Sequence, residues 1–350
     1  MKNILFLTTV ILLSCGGFSQ SVHVVLDKTG SYKNLTIFLL RSGDVLNRKY
    51  VTLEEAMKSK TIVLHETGSV NELAVDNNSD DYVFIMAGDM VKGGKQDRTI
   101  GEDVVIAPKA KKVPLNSFCV EQSRWRQRGN ENVSEFSSSA KMLGNKNLKI
   151  AARKEKSQNA VWNEVSSFQT NVGSNIGSDV KSRASASSLQ LTLENENLKK
   201  TTEDYSKALL PIFTEEKDIA GMAFCVNGSI STIEWFGTVD LFDKLRNKLL
   251  ESAINEAVFA YDSKTETVNS ITATDIDDFI KESQKGEVTE NTVIKGVSER
   301  KYETEKAITF MTFHTDASST IPLHVSIYST EGIKAETGMK YGGYQRLQRR

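Results

Sequence analysis

The 350-residue sequence has little proline and almost no net charge. Only 4 prolines are present, which excludes long stiff linkers because these depend on proline. The 44 Lys and Arg residues nearly balance 45 Asp and Glu residues, for a formal charge of −1. Global charge therefore predicts no binding to nucleic acid or to an acidic membrane surface. After the first 20 residues, no apolar run is long enough for a transmembrane helix.

Cysteine and histidine are also scarce. Of 3 cysteines, only Cys119 and Cys225 lie outside the N-terminal leader. In an oxidising compartment they would be able to form a disulfide, and two separate buried thiols fit the sequence equally. Neither has a second thiol or a histidine at ligand spacing, and the 4 histidines form no HxxxH or HExxH motif. The sequence predicts no metal site and no cofactor.

The N-terminal segment has the pattern of an export signal. A positive charge at Lys2 precedes an apolar stretch from Ile4 to Leu13, which is too short to span a bilayer. Cleavage after Ser19 predicts a signal peptide at 1–19. Alternatively, the run LLSC resembles a lipobox, in which case the signal ends before Cys15 and a lipid on Cys15 is the only membrane attachment. Either route predicts a periplasmic or secreted protein, lipid-anchored in the outer envelope in the second case.

Alternating patterns along the chain predict both strands and helices. Apolar, β-branched runs predict strands at 22–27, 33–40, 61–66, 82–87, 103–107, 112–115, 219–226, 230–236, 291–297, 305–314 and 321–328. Helical spacing and capping residues predict helices at 52–57, 146–170, 192–210, 241–261 and 274–284. Strands followed by helices and then strands indicate an α+β fold with mixed, mostly antiparallel sheets and several packed helices in the middle of the chain.

The mature chain is predicted to form one α+β domain over residues 20–335. Within it, a β-rich N-terminal lobe at 20–135 and an α+β lobe at 190–335 form an alternative division. A helix and the Ser- and Asn-rich loop 171–190 would join the two lobes. Residues 336–350 form a polar tail that is expected to fray.

A glycine pair next to several donors is the first candidate binding element. Gly93 and Gly94 follow a predicted strand and precede Lys95, Gln96 and Arg98. Paired glycines let the backbone approach a ligand closely and can present N–H groups as a nest for an anion. This pattern predicts binding of an anionic group, with the alternative that Lys95 and Gln96 are solvated turn residues.

A second concentration of reactive side chains follows at Cys119, Glu121, Arg124 and Trp125. A desolvated Glu121 would serve as a general acid or base, and Arg124 as a bidentate clamp on phosphate or carboxylate. The structural alternative is a buried ion pair of Glu121 with Arg98 or Arg124. Trp125 is expected to pack at the rim or to stack on a ligand. Cys119 has no histidine close in sequence to act as its base.

These two stretches carry a family resemblance. The run GGKQDR (residues 93–98) together with VPLNSFCVEQSRW (residues 113–125) resembles the ARG and rhodanese-phosphatase-superfamily-associated protein domain, an α+β domain of bacteria and archaea. The family's name records gene association with ADP-ribosylglycohydrolases and phosphatase-like proteins. The resemblance thus implies a role connected with nucleotides or ADP-ribose, while the export signal separates this chain from cytosolic nucleotide pools.

Three functions are compatible with the sequence, and whether the protein is an enzyme stays open. The first is a binding module that holds a phosphate- or ribose-containing anion, or a partner protein, at the cluster between Gly93 and Trp125. The second is a hydrolase of a nucleotide- or ADP-ribose-like substrate with Glu121 as acid or base. The third is an envelope protein in which the cluster is structural. No nucleic-acid partner is expected.

Overall fold

A computed structural model describes residues 23–124, 127–129, 131, 134–214, 216–262, 271–314 and 321–332, with side chains from residue 29 onward. The leader, with Cys15, and the predicted tail 336–350 lie outside these ranges. The helices are α1 (Leu53–Lys58), α2 (Lys146–Arg153), α3 (Gln158–Ile176), α4 (Leu189–Leu193), α5 (Glu196–Leu209), α6 (Val239–Phe259) and α7 (Ala273–Glu282), with a 3-10 turn at Leu210–Phe213.

The strands are β1 (His23–Tyr32), β2 (Leu35–Arg41), β3 (Val51–Thr52), β4 (Ile62–Glu66), β5 (Glu72–Asn77), β6 (Val83–Ile85), β7 (Asp89–Gly93), β8 (Arg98–Ile100), β9 (Val104–Ile106), β10 (Val113–Cys119), β11 (Phe136–Met142), β12 (Ile219–Val226), β13 (Ser229–Phe236), β14 (Glu287–Ile294), β15 (Val297–Glu303), β16 (Ala307–His314) and β17 (His324–Ser329). The fold is α+β, as predicted.

Three sheets organise the described chain. Eight strands form an antiparallel sheet in the order β1-β2-β12-β13-β17-β16-β15-β14, and six form a second in the order β11-β7-β8-β10-β5-β4. A three-stranded sheet, β3-β6-β9, contains the parallel pair β3–β6. Because β1 and β2 pair with β12, the first strands of the chain belong to the same sheet as the last ones. The largest apolar core therefore combines residues from both ends of the described chain, the first being Leu35 and the last Leu323.

The long helix α6 lies centrally and packs against β12, β11, α3 and α5. Its start is fixed by Thr238, whose Oγ1 accepts a hydrogen bond from the Leu241 N–H at 3.2 Å. At α1, Thr52 and Glu55 form a capping box in which each side chain accepts from the other's backbone N–H. Thr52, the first residue of the predicted helix 52–57, is thus its N-cap. None of the described helices is long and apolar enough to cross a membrane.

Two boundaries in the middle of the chain differ from the prediction. The predicted helix 146–170 is two helices, because the chain turns between α2 and α3 through Lys156 at φ 47°. The predicted loop 171–190 starts late, since α3 continues to Ile176 and ends on Gly177 in the left-handed conformation, φ 65°. Neither the break between α2 and α3 nor the end of α3 was predicted, because charged residues at the first and serine residues at the second obscure the helical pattern.

Strands β5, β7, β8 and β11 were also not predicted. The predicted strand 291–297 spans the turn between β14 and β15, and the predicted helix 192–210 is interrupted between α4 and α5.

Candidate functional site

The glycine pair forms the turn of the β7–β8 hairpin. Gly93 and Gly94 have φ values of 120° and 56°, which side-chain-bearing residues rarely adopt. A Cβ on Gly94 would also overlap the ring of Phe136. Glycine is therefore required here by the turn and by the packing against β11.

The N–H groups of this turn bind carboxylates of the chain itself. The Gly93 N–H donates to Asp97 Oδ1 at 3.1 Å, and the Lys95 N–H donates to Glu66 Oε2 at 3.3 Å. Gln96 is buried, and its Nε2 donates to the Glu121 carbonyl at 2.6 Å. The turn thus acts as an anion nest whose anions are internal, and Gln96 holds two backbone segments together instead of being solvated.

Arg98 lies inside the protein and not at a ligand surface. Its side chain is 0% exposed, and Nη2 donates to Glu66 Oε1 and Oε2 at 3.2 and 3.4 Å. Nη1 contacts Cys119 Sγ and lies 3.5 Å from Gln96 Oε1. The sequence suggested a ligand clamp or an ion pair with Glu121 for this residue; the structure places an ion pair with Glu66.

The two cysteines do not form the disulfide that was one alternative. Cys119 lies on β10 and Cys225 on β12, in different sheets, and both are free and buried. Burial raises the pKa of Cys119 to about 11 and that of Cys225 to about 12. Both thiols are protonated at neutral pH, which makes Cys119 a poor nucleophile.

Four charged residues form what we call the Asp97 cluster: Asp97, Glu121, Arg124 and Arg128. Arg128 donates two parallel hydrogen bonds to Asp97, from Nη1 to Oδ2 at 2.8 Å and from Nη2 to Oδ1 at 3.0 Å. Arg124 Nε donates to Glu121 Oε2 at 2.6 Å, and its Nη2 reaches Asp97 Oδ1 at 3.5 Å. Asp97 is the common partner, so the cluster joins the hairpin turn to the segment after β10.

Further bonds complete the Asp97 cluster. Ser188, the N-cap of α4, donates its Oγ–H to Asp97 Oδ2 at 3.3 Å. Glu131 accepts from Arg128 Nη2 at 2.9 Å. Burial acts against the charged form of Arg128, but the hydrogen bonds and charge of Asp97 outweigh it and raise the Arg128 pKa. The arginine positions are thus fixed from several sides.

Glu121 occupies a closed position. It is 0% exposed, with Arg124 against Oε2 and Arg128 Nη1 3.5 Å from Oε1. A general acid or base must reach a substrate atom, and Glu121 faces two arginines inside the protein. This geometry favours the structural ion pair that the sequence left as the alternative, with Arg124 as the partner.

A polar cleft lies directly outside the Asp97 cluster, with a volume of about 670 Å³. Arg124 and Arg128 form part of its wall, and their side chains are 7% and 11% exposed. Its other lining residues share small or polar side chains; they are Gln122, Ser123, Gln127, Gly129, Ala184, Ser185, Ala186 and Ser187. Of the predicted ligand residues, Arg124 alone lines this cleft, and Trp125 lies outside the described residues.

Asp97 and Arg128 were not predicted as site residues. Asp97 stands inside the GGKQDR motif, and Arg128 lies three residues after the end of the VPLNSFCVEQSRW run. Their spacing of 31 positions carries no periodic signal, so only the fold brings them together. Among the described residues, no three His, Cys, Asp or Glu side chains group as a metal site would require.

The family model described as the ARG and Rhodanese-Phosphatase-superfamily-associated Protein domain matches residues 23–327. The chain belongs to this family. No curated protein and no solved structure matches it. The ARG and rhodanese-phosphatase-associated domain therefore includes all three sheets and both motifs.

This domain contains a second ionic group that the sequence did not reveal, which we call the Asp103 network: Asp103, Arg153, Glu234, Glu299 and His324. Asp103 Oδ2 accepts from Arg153 Nη2 at 2.7 Å and lies 2.8 Å from His324 Nδ1. His324 Nε2 lies 3.1 Å from Glu234 Oε2, and Arg153 Nε donates to Glu299 at 3.0 Å. Asp103, Glu234 and His324 are all 0% exposed, so this network is structural.

The charge of His324 is set by its two carboxylate partners. Burial alone would lower its pKa, but the charges and hydrogen bonds of Asp103 and Glu234 raise it above the ordinary value. Conversely, the cations Arg153 and His324 lower the pKa of Asp103 despite its burial. The ring of His324 also stacks on Phe236, with centroids 4.4 Å apart. His324 lies on β17, and both of its ring nitrogens are within hydrogen-bond distance of a carboxylate.

We expect alkaline pH to weaken the domain through His324. Its pKa is higher in the folded state, so its contribution is complete below about pH 6.5 and is lost as the pH rises through the folded pKa. One proton gives a slope of at most about 1.4 kcal/mol per pH unit. Urea unfolding from pH 6 to pH 9 would measure it. His324→Gln should flatten the slope; an equal slope in both proteins would assign it to other groups.

Proposed function

We propose that this chain is an exported binding module that holds a small phosphate- or ribose-containing molecule in the cleft beside the Asp97 cluster. The observation that carries this proposal is the position of two arginines, Arg124 and Arg128, in the wall of a polar cleft of about 670 Å³. That volume lies within the range of small-molecule sites.

The arrangement of donors supports a ligand with a planar or tetrahedral anionic group. A guanidinium held by buried carboxylates loses little conformational entropy when a ligand binds. Asp97 and Glu121 hold Arg128 and Arg124 in this way, at 2.8 and 2.6 Å. The hydroxyl and amide groups around them are suited to ribose hydroxyls, which agrees with the role that the family's gene association implies.

The charge of the site limits how many negative groups it would accept. Arg124 and Arg128 already face three carboxylates, those of Asp97, Glu121 and Glu131. A ligand with one phosphate is therefore favoured over a triphosphate, and hydrogen bonds to the cleft wall would supply much of the affinity. Export, inferred from the leader at 1–19, makes periplasmic or extracellular molecules the candidates.

A ligand screen by thermal shift on the mature protein would test the proposal. We expect ribose 5-phosphate or ADP-ribose to raise the melting temperature, since a ligand at 100 times its Kd stabilises by about 2.7 kcal/mol. Arg124→Lys keeps the charge but loses the fork of donors, so binding should weaken about tenfold.

The matched control for that screen is Arg41→Lys. Arg41 forms a surface ion pair with Glu216 at 2.6 Å, and its side chain is 48% exposed. Its ligand response should equal that of the parent protein. No shift with any phosphorylated sugar at millimolar concentration, or an equal shift in Arg124→Lys, would contradict the proposal.

A structural role in the envelope is the second candidate, and the closure of the Asp97 cluster favours it. Each of its carboxylates binds an arginine, and Asp97 and Glu121 are 0% exposed. In that case the cluster would fix the segment after β10 against α4, and the ligand screen would be negative. Nothing in the geometry favours Glu121 as the acid or base of a hydrolase.

A further inference from the structure

A smaller cavity, of about 170 Å³, adjoins the polar cleft beside the Asp97 cluster. Gln122, Ala186 and Ser187 line both of them, so the two share a wall. Ser187 Oγ donates to the Gln122 carbonyl at 2.6 Å, which fixes this wall. A ligand that binds the arginines of the cleft can therefore extend along the wall into the smaller cavity.

One face of α3 forms the other side of the smaller cavity. Trp162, Val165, Ser166 and Gln169 line it, and their spacing of three and four positions places them on the same face of the helix. Val165 is buried and Trp162 is half-buried. The cavity thus offers an aromatic and an aliphatic side chain, against which a flat ring packs well.

The orientation of the Gln169 amide is fixed by its neighbours. Nε2 donates to the Ala186 carbonyl at 2.9 Å and to Thr192 Oγ1 at 2.8 Å. A carbonyl oxygen only accepts hydrogen bonds, so the group that faces Ala186 is the NH₂ group. Both of its hydrogens are used, and Oε1 is the atom that remains for a ligand.

Gln169 Oε1 is an unpaired acceptor within the described chain. The residue is 4% exposed, and its hydrogen bonds are the two that Nε2 donates. Unlike Trp162 Nε1, which is unpaired but sealed from solvent, Gln169 Oε1 is accessible. Buried acceptors are nearly always paired, so an accessible unpaired one in a cavity wall indicates a ligand that donates an N–H or O–H group.

The charge of the smaller cavity favours a neutral group. Lys181 is the only charged residue among those described in its wall, and it is exposed. A cation would therefore meet no carboxylate there. A neutral heteroaromatic base has the required pattern, because its faces stack on an aromatic side chain and its edge carries both donors and acceptors.

We propose that the ligand of the polar cleft is a nucleoside 5′-monophosphate whose base carries an amino group and occupies the smaller cavity. The phosphate lies against Arg124 and Arg128, and the ribose crosses the shared wall. The base packs on Trp162 and donates from its amino group to Gln169 Oε1. This inference rests on the proposed function, since the arginines of the cleft hold the phosphate.

Calorimetric titration of the folded protein with three ligands would test this inference. We expect AMP to bind about tenfold more tightly than ribose 5-phosphate, which lacks the base. Purine riboside 5′-monophosphate keeps the ring and lacks the amino group. It should bind about fivefold more weakly than AMP, because Gln169 Oε1 is left without its donor. These comparisons use the parent protein and need no variant.

The variant for this test is Trp162→Ala, which should weaken AMP about tenfold and leave ribose 5-phosphate unchanged. Phe213→Ala is the matched control, because Phe213 is also a half-buried aromatic residue and lines neither cavity. Equal affinities for AMP and ribose 5-phosphate, or no loss of AMP affinity in Trp162→Ala, would overturn the inference and leave the proposed function intact. Absence of binding by all three ligands would overturn both.

Discussion

Replacing Arg153 with methionine should lower the free energy of unfolding by about 3–5 kcal/mol, because removing one partner of a buried ion pair leaves an uncompensated charge. Arg153 is 2% exposed and faces two carboxylates, Asp103 at 2.7 Å and Glu299 at 2.8 Å. Methionine fills a similar volume without a charge. Urea denaturation at pH 7 would measure the change.

Arg300→Met is the control for this prediction. Arg300 pairs with Glu290 at 3.0 Å on the outer strands β14 and β15, and its side chain is 24% exposed. Exposed pairs contribute about 0–1 kcal/mol, so this variant should unfold close to the parent. Equal losses in the two variants would show that the Asp103 network contributes no more than a surface pair.

Local signals made much of the fold predictable. The capping box of Thr52 and Glu55 set the start of α1, and Asn227 and Gly228 set the turn between β12 and β13. Both turn residues have positive φ, 52° and 74°, as the preferred hairpin turn requires. These features depend on neighbours within four positions, which a sequence displays directly.

The ionic groups could not be predicted in the same way. Asp103 and His324 are 221 positions apart and meet only because the short strand segments near β9 pack against β17. For Arg98, the sequence pattern suggested an interaction that the structure does not contain. Its place in a glycine-rich, basic motif suggested a ligand, whereas the structure buries it against Glu66. Charge patterns predict that a cluster exists, while burial decides whether it faces solvent or the core.

The Asp97 cluster should respond to pH when Arg128 is replaced by methionine. In the parent, burial and then the charge of Glu121 raise the pKa of Asp97, and Arg128 opposes them. Without Arg128, that pKa rises further, because two buried carboxylates then face each other with only Arg124 between them. We expect a loss of about 3 kcal/mol at pH 7 in urea unfolding.

Part of this loss should be recovered as the pH falls towards about 5. A carboxyl whose pKa is raised in the folded state destabilises that state when ionised, so protonation restores stability. The double variant Arg128→Met with Asp97→Asn should regain part of the lost free energy of unfolding at pH 7 as well, since no unpaired charge then remains at position 97. Arg246→Met, which removes a surface pair with Asp243, should show neither the loss nor the pH effect. A pH-independent loss in Arg128→Met would mean that Arg128 acts through packing and not through the charge of Asp97.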